Sequence, residues 1–325
     1  MTADAAPTRA SVLAKYAGTE VPVVCPFCGA DDAEPLLGHE RYATGLPTVI
    51  CRRCCLIYLG RRWPDDVYRR FYEADYRVVD EIHTTIAERY AEQLAKSGAL
   101  AAFCGPYLPG PEGSVLDVGA SAGGVLQGLA WATGCRAVGV EPSEEESELA
   151  RSRGIDVRTG TLETVELEPA SFDLALLVGT IDHLFDPFGE LRRIRALLKP
   201  TGALYVSISD FVELAKLRRD PAQLDHLTYY TSETLRDLVQ QVGFQAVRWR
   251  APTAREAEQR HRDEREHVGP VLAMQALFRV EEDPVLFARP DWRRIKAELE
   301  ATRRLHEPPP LARRILRRVG ALDGG

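Results

Sequence analysis

Between residues 113 and 282, short apolar strands alternate with helices. This predicts an α/β protein on a doubly wound sheet, mostly parallel with its last strand antiparallel. Five of the seven cysteines fall within 31 residues near the N-terminus, which predicts a small zinc-binding lobe ahead of that sheet. Helix-like sequence over 63–112 and after 283 predicts a helical linker or cap and a helical C-terminal extension. A chain of 325 residues agrees with about two units at roughly 150 residues each.

Residues 1–20 are small and polar and read as a tail or a short, loosely attached helix. Residues 21–62 hold the cysteines among strand-like pieces such as PTVICRRCCLIYLG. WPDDVYRRFYEADYR offers Pro64 at a helix start. It spaces Val67, Tyr68, Phe71, Tyr72 and Tyr76 near one helical face, the pattern of core packing. GPYLPGPEG (105–113) is a turn-rich boundary. SVLDVG is then a strand, 122–133 a helix and CRAVGVEP a strand. SEEESELARSRG is a helix with Ser143 as cap and glutamates in its first turn, a charge placement that suits the helix dipole. IDVRTG, FDLALLVG and ALYVSIS are strands, with a helix from about Asp186 to Leu198 before the last of them. Their near-continuous apolar runs fit strands covered on both faces. TSETLRDLVQQVG is a helix and FQAVRWR a strand. A charged run with His261 and His267 follows, read as a solvated helix or lid, and VLAMQALFRV is the candidate last strand. LARRILRRV (311–319) is a basic amphipathic segment, expected to dock on its own domain or on a second subunit, which leaves room for a homo-oligomer.

Composition excludes several classes. Apolar residues at 45% and charged residues at 27% are those of a globular protein rather than a disordered chain. No apolar run approaches the roughly 20 residues of a transmembrane helix, and the first residues lack the apolar core of a secretory signal. An odd cysteine count without an export signal points to a reducing, cytoplasmic setting rather than a disulfide framework. A net charge of −7 argues against a nucleic-acid binder.

CPFC (25–28) and CRRC (51–54) are two Cys-x-x-Cys knuckles with 22 residues between them. Each knuckle aims two thiolates at one point, so Cys25, Cys28, Cys51 and Cys54 make a closed four-sulfur shell suited to structural Zn²⁺. A lobe of about 40 residues has little core of its own, so metal binding supplies much of its folding energy. VLDVGASAGG (115–124) lies at the first strand-to-helix turn, where an open α/β sheet binds its ligand. Ser121 stands where a dinucleotide fingerprint needs its middle glycine. Asp117 just before the turn would repel a pyrophosphate and suit an ammonium group. Glu141, ending the second strand, can accept from two ribose hydroxyls.

Residues 113–250 resemble class I S-adenosylmethionine-dependent methyltransferases. LDVGASAGG matches that family's glycine-rich first motif, GVEPS its acidic motif, GTLE its adenine-side loop, FDLALLVGTIDHLFDP its fourth strand and LKPTGALYVSISD its fifth. The resemblance implies that Asp117, Gly119, Ser121 and Gly123 contact the methionine end of the cofactor. It puts Glu141 on the ribose with Pro142 beside it, Thr161 and Leu162 by the adenine, and Gly179 and Thr180 under the sulfonium. It also suggests Tyr76 as a cover. Thr161 stands where many members carry Asp. With the cysteine knuckles included, residues 21–250 are similar to zinc-ribbon methyltransferases of sugar and natural-product pathways.

The fourth strand is not followed by the Pro-Pro motif of amine methylation, which turns attention to hydroxyl or carbon acceptors. Such acceptors must lose a proton, so a base is needed. Asp182 and His183 close the fourth strand. In LDHLTYYTSETL, Asp225–His226 stands where the sugar C-methyltransferases carry an acidic–His pair. The resemblance implies His226 as base, Asp225 as its support, and Tyr229 and Tyr230 as the acceptor lining. The same segment also caps the next helix well. The function expected is methylation of a sugar or sugar-containing small molecule, at oxygen rather than carbon because the C-terminal extension is short. The alternatives are C-methylation of a nucleotide-linked sugar, RNA modification with the zinc lobe as recruiter, and a non-catalytic cofactor-binding scaffold.

Overall fold

The structure is a computed structural model and describes residues 7–79, 85–218, 220–251, 273–286 and 288–305. The charged run with His261 and His267 and the basic segment 311–319 lie outside the described residues. In chain order the elements begin with α1 (Arg9–Leu13), β1 (Val21–Pro22), β2 (Ala33–Leu37), β3 (Thr48–Cys51), β4 (Ile57–Leu59) and β5 (Arg61–Arg62). Three helices follow, α2 (Asp65–Ala74), α3 (Tyr76–Val79) and α4 (Ile86–Cys104). The alternating part runs β6 (Ser114–Val118), α5 (Gly124–Thr133), β7 (Arg136–Glu141), α6 (Glu144–Ser152), β8 (Asp156–Thr159), β9 (Phe172–Val178), α7 (Pro187–Leu197) and β10 (Leu198–Ser209). It closes with α8 (Phe211–Leu217), β11 (Thr228–Tyr229), α9 (Ser232–Gln240), β12 (Phe244–Arg250), β13 (Ala273–Val280) and α10 (Trp292–Leu305).

The main sheet has seven strands in the order β12-β13-β10-β9-β6-β7-β8. Neighbours from β10 to β8 are parallel, and β13 is antiparallel to both β10 and β12. The fold is Rossmann-like, as expected from the alternation. The sequence did not reveal that its final strand inserts between β10 and β12. There Met274, Ala276 and Phe278 are fully buried, so the run is apolar for a packing reason and not because it forms an edge. The helix caps follow the local signals: Ser143 accepts from the Glu146 amide ahead of α6, and Thr85 with Glu88 forms a capping box on α4.

A second sheet, β11-β4-β3-β2, is antiparallel throughout and joins the cysteine lobe to the core. Three of its strands are local; the fourth, Thr228–Tyr229, comes from more than 160 residues away and pairs with Ile57–Tyr58. Cys25, Cys51 and Cys54 share one buried cluster with Leu177 and Val206 of the main sheet. The segment expected as a tail or a short, loosely attached helix carries the short helix α1, and it is docked rather than loose, with Val12 fully buried, because Tyr16 stacks on Trp63 and donates to Asp75 at 2.6 Å. Alternation of small and polar residues hid two anchoring side chains.

Candidate active site

The four thiols converge as their spacing requires. Cys25 Sγ lies 3.4 Å from Cys54 Sγ, and Cys28 Sγ lies 3.6 Å from Cys51 Sγ. All four lie within 4.8 Å of one another. A tetrahedral zinc with Zn–S bonds of about 2.3 Å sets sulfurs about 3.8 Å apart, so the donor set fits that ion. Hydrogen bonds among the thiols hold Cys51 far below the usual thiol value and push Cys25 well above it.

The glycine-rich turn sits at the carboxyl end of β6. Gly119 has φ +79°, and a Cβ there would lie 2.6 Å from Thr180 Oγ1, so the turn and the end of β9 touch only because the residue is glycine. Ser121 also adopts positive φ, +49°, and its amide donates to Glu141 Oε2 at 2.8 Å. The Ser143 amide donates to Glu141 Oε1 at 2.8 Å. Glu141 is thus aimed along the turn by two amides. Burial nevertheless lifts it to about 7, with those two amides opposing the rise. Asp117 is buried and also lifted to about 7, by burial first and by the charge of Glu141 second. Asp117 Oδ1 and Ser121 Oγ are buried without a partner among the described residues. These orphaned polar atoms around the turn are the slots an ammonium-bearing nucleoside would satisfy, and the donor set fits S-adenosylmethionine.

Other members of the expected cofactor set sort themselves. Gly123 and Gly179 take positive φ, +77° and +65°. Thr161 is half-buried, Leu162 is buried and Pro142 is exposed beside Glu141. Gly124 serves packing, because a Cβ there would lie 2.3 Å from the Tyr90 carbonyl of α4. Tyr76 stacks on Tyr72 and Phe71 with ring centroids 5.3 and 5.9 Å apart. It thus stands on the side of Tyr72, whose ring meets His183.

Beside the turn, the loops after β9 and before β11 bring Asp182, His183, Asp225 and His226 together. The nearer carboxylate to His226 is Asp182, with Nδ1 3.3 Å from its Oδ2, whereas Asp225 Oδ2 is 3.9 Å from Nε2. The support expected from the adjacent residue therefore comes chiefly from across the site. The rings of His183 and His226 meet edge to face at 4.8 Å. Asp182 and Asp225 are buried, and each has one oxygen without a hydrogen-bond partner among the described residues.

The expected lining residues Tyr229 and Tyr230 require correction. Both are buried with their hydroxyls engaged inside the protein. Tyr229 donates to the Gln223 carbonyl at 2.7 Å, and Tyr230 accepts from Thr228 Oγ1 at 3.1 Å. Pairing of Thr228–Tyr229 with the cysteine lobe turns these side chains into the interior, and the Leu59 amide donates to the Leu227 carbonyl at 3.1 Å one residue past His226. Tyr72 was missed as a site residue because helical spacing reads it as core. Its hydroxyl reaches both His183 and the Asp225 carbonyl.

A doubly wound sheet with an acidic, glycine-rich turn and a His–Asp cluster at its mouth defines a nucleoside-binding group-transfer class. Residues 86–248 match a family model described as a methyltransferase domain, and since that stretch is half of the chain, the protein belongs to this methyltransferase-domain family. Among curated relatives, it is 32% identical over 136 residues to an uncharacterized 37.1 kDa protein of transposon Tn4556 from Streptomyces fradiae, covering 38% of this chain and 39% of that one. It is 33% identical over 109 residues to a ubiquinone biosynthesis O-methyltransferase of Methylocella silvestris, covering 31% of this chain and 42% of that one. The chain thus spans about two fifths of the length of these relatives. Among solved structures, it is similar to the [4+2]-cyclase SpnF, with a TM-score of 0.46 and 17% identity over 58% of this chain and 82% of that one. It is also similar to an S-adenosylmethionine-dependent methyltransferase of Mesorhizobium loti, with a TM-score of 0.44 and 20% identity over 57% of this chain and 97% of that one.

Proposed function

We propose that the protein is an S-adenosylmethionine-dependent methyltransferase that methylates a hydroxyl of a sugar or sugar-containing small molecule, with a histidine as general base. The observation that carries this reading is the contact between Gly119 and Thr180, which sets the cofactor turn directly beside the turn bearing Asp182 and His183. Bound at the turn, S-adenosylmethionine supplies a methyl group whose bond to sulfur breaks, with its electron pair, as the bond to the acceptor oxygen forms. Glu141 would accept from the ribose diol, Asp117 would meet the ammonium, and Gly179 and Thr180 would border the sulfonium. Positioning supplies much of the rate in such an in-line displacement. The imidazoles of His183 and His226 are the groups that would take the acceptor proton. The zinc lobe braces the loop carrying His226, a structural part that needs no nucleic acid. A second acceptor class, a phenolic hydroxyl, is supported by the ubiquinone biosynthesis O-methyltransferases among the relatives.

The test is a panel of nucleotide sugars, oligosaccharides and dihydroxyphenols incubated with methyl-labelled cofactor, with the labelled product's linkage assigned by NMR. Label in an O-methyl ether of a saccharide is expected. Label only in a C–C bond or only in phenols would replace the acceptor class, and failure of calorimetry to detect any binding of S-adenosylmethionine or its demethylated product would end the methyltransferase reading.

A further inference from the structure

Asp182 lies between the two imidazoles of the cluster. Its Oδ2 is 3.3 Å from His226 Nδ1 and its Oδ1 is 3.9 Å from His183 Nε2. Neither contact makes a hydrogen bond, and Oδ1 has no hydrogen-bond partner among the described residues although Asp182 is only 5% exposed. Buried carboxylates are paired with a charge or coordinate a metal. One oxygen of Asp182 and one nitrogen from each of His183 and His226 lie within 4.8 Å of one another. Donors about 2.1 Å from a common ion are about 3–3.5 Å apart. The 3.3 Å pair already fits such an ion, and the 3.9 Å pair needs to close by roughly half an ångström.

The surroundings of the rings match those of metal-bound imidazoles. Away from Asp182, both rings turn to residue 225. His183 Nδ1 lies 2.9 Å from the Asp225 main-chain oxygen, and His226 Nε2 lies 3.9 Å from the Asp225 carboxylate. A ligating imidazole characteristically presents its far nitrogen to a carbonyl or carboxylate, which orients the ring. The Tyr72 hydroxyl donates to the same carbonyl at 2.9 Å and lies 3.0 Å from His183 Nδ1, which fastens the arrangement to α2. The Gln223 side-chain nitrogen lies 3.4 Å from both nitrogens of His226 and, being equidistant, is in line with the lone pair of neither. The side chains of His183 and His226 are 25% and 20% exposed against 7% for Asp182, so the cluster is closed behind the carboxylate and open on the imidazole side.

We propose that Asp182, His183 and His226 form a divalent-cation site beside the cofactor turn, with open positions for oxygens of the acceptor. Two imidazoles and one carboxylate suit Mn²⁺, Fe²⁺, Co²⁺ or Zn²⁺ better than Mg²⁺ or Ca²⁺, and three protein donors leave positions unfilled. The site is separate from the four-cysteine shell, whose soft thiolates select zinc. What occupies the open positions rests on the methyl-transfer reading. There the ion holds the acceptor hydroxyl and acidifies it. The proton leaves for solvent, the electron pair left on oxygen makes the bond to the methyl carbon, and the carbon–sulfur bond breaks with its pair going to sulfur. A nitrogen bound to the ion takes no proton, so in the cation-loaded protein His183 and His226 hold the ion and the ion replaces them in activating the hydroxyl.

The probe is Mn²⁺, titrated into full-length protein carrying one zinc per chain and read by electron paramagnetic resonance. One equivalent is expected to bind, and pulsed spectra are expected to show coupling to imidazole nitrogen. Asp182→Asn and His226→Gln should each weaken binding at least about tenfold, with zinc still at one equivalent and S-adenosylhomocysteine binding unchanged. Absence of bound Mn²⁺, bound Mn²⁺ without nitrogen coupling, or an affinity unmoved in both variants would overturn the site. The pulsed spectra of the unaltered protein decide the matter should either variant fail to fold. With an acceptor methylated in the panel, added Mn²⁺ should raise the rate at least about tenfold, and an unchanged rate would overturn the role given to the open positions. Mn²⁺ with imidazole coupling in a protein that bound no S-adenosylhomocysteine would remove the methyl-transfer reading and leave the cation site standing. Binding of S-adenosylhomocysteine without Mn²⁺ would do the reverse.

Discussion

The cofactor turn and the acid–base cluster lie at the carboxyl ends of adjacent strands, β6 and β9, but they are assembled in opposite ways. The turn is local: Asp117, Gly119, Ser121 and Gly123 fall within seven residues, and Glu141 reaches them from the next strand through the Ser121 amide. The cluster draws on α2 for Tyr72, the turn after β9 for Asp182 and His183, and the loop before β11 for Asp225 and His226. That last loop is then tied to the cysteine lobe through β4 and β11. The comparison teaches that the four-cysteine lobe and the His–Asp cluster at the mouth belong to one mechanical unit, whereas the glycine-rich turn is one the lobe does not build.

The largest effect that separates the two regions should come from the metal. Cys51→Ser, or chelation of the intact protein, is expected to drop zinc below one equivalent and abolish methyl transfer. Amide exchange in 224–230 should accelerate by more than tenfold while S-adenosylhomocysteine still binds in calorimetry. Equal loss of cofactor binding would break the comparison. Next, Gly119→Ala should cost about 1–3 kcal/mol of stability and weaken cofactor binding, because it combines a left-handed φ with the 2.6 Å approach to Thr180, and thermal melts with titrations would read both. Glu141→Gln should weaken S-adenosylhomocysteine binding by about 10- to 100-fold through loss of charge-assisted bonds to the diol.

The most graded effect is pH. Asp117 and Glu141 are raised to about 7 from ordinary values of 3.8 and 4.5. In the folded, ligand-free protein they keep protons that the unfolded chain has already lost, so their contribution to stability is full below about 4 and fades as pH rises to about 7. Each group contributes a slope of at most about 1.4 kcal/mol per pH unit in that window. A cationic ligand reverses the sign, since it favours the ionised carboxylates. Its binding should release protons below about 7 and tighten as pH rises to that value. Melting curves from pH 5 to 8, with and without S-adenosylmethionine, and calorimetry in buffers of different ionisation enthalpy would measure both.

What was legible in the sequence was local. Strand–helix alternation revealed the sheet, two Cys-x-x-Cys pairs revealed the four-sulfur shell, and LDVGASAGG revealed the turn, because each signal lies within a stretch whose geometry its own residues dictate. Tyr229 and Tyr230 looked like pocket residues because an aromatic pair beside a histidine reads the same whether it faces outward or inward. Pairing of Thr228–Tyr229 with Ile57–Tyr58 decided the matter. Tyr72 looked like core for the converse reason: its ring is indeed packed, and only its hydroxyl reaches the site.

Residue order and type alone therefore determined the fold class, the four-cysteine cluster and the acidic glycine turn. Tertiary structure alone decided that Asp182 rather than Asp225 stands nearest His226, that the last strand lies inside the sheet, and that the cysteine lobe grips the loop carrying His226. The physical reason is distance along the chain. A cap, a knuckle or a turn is specified by neighbours a few positions apart, but a hydrogen bond across more than a hundred residues exists only once the packing of everything between has closed it.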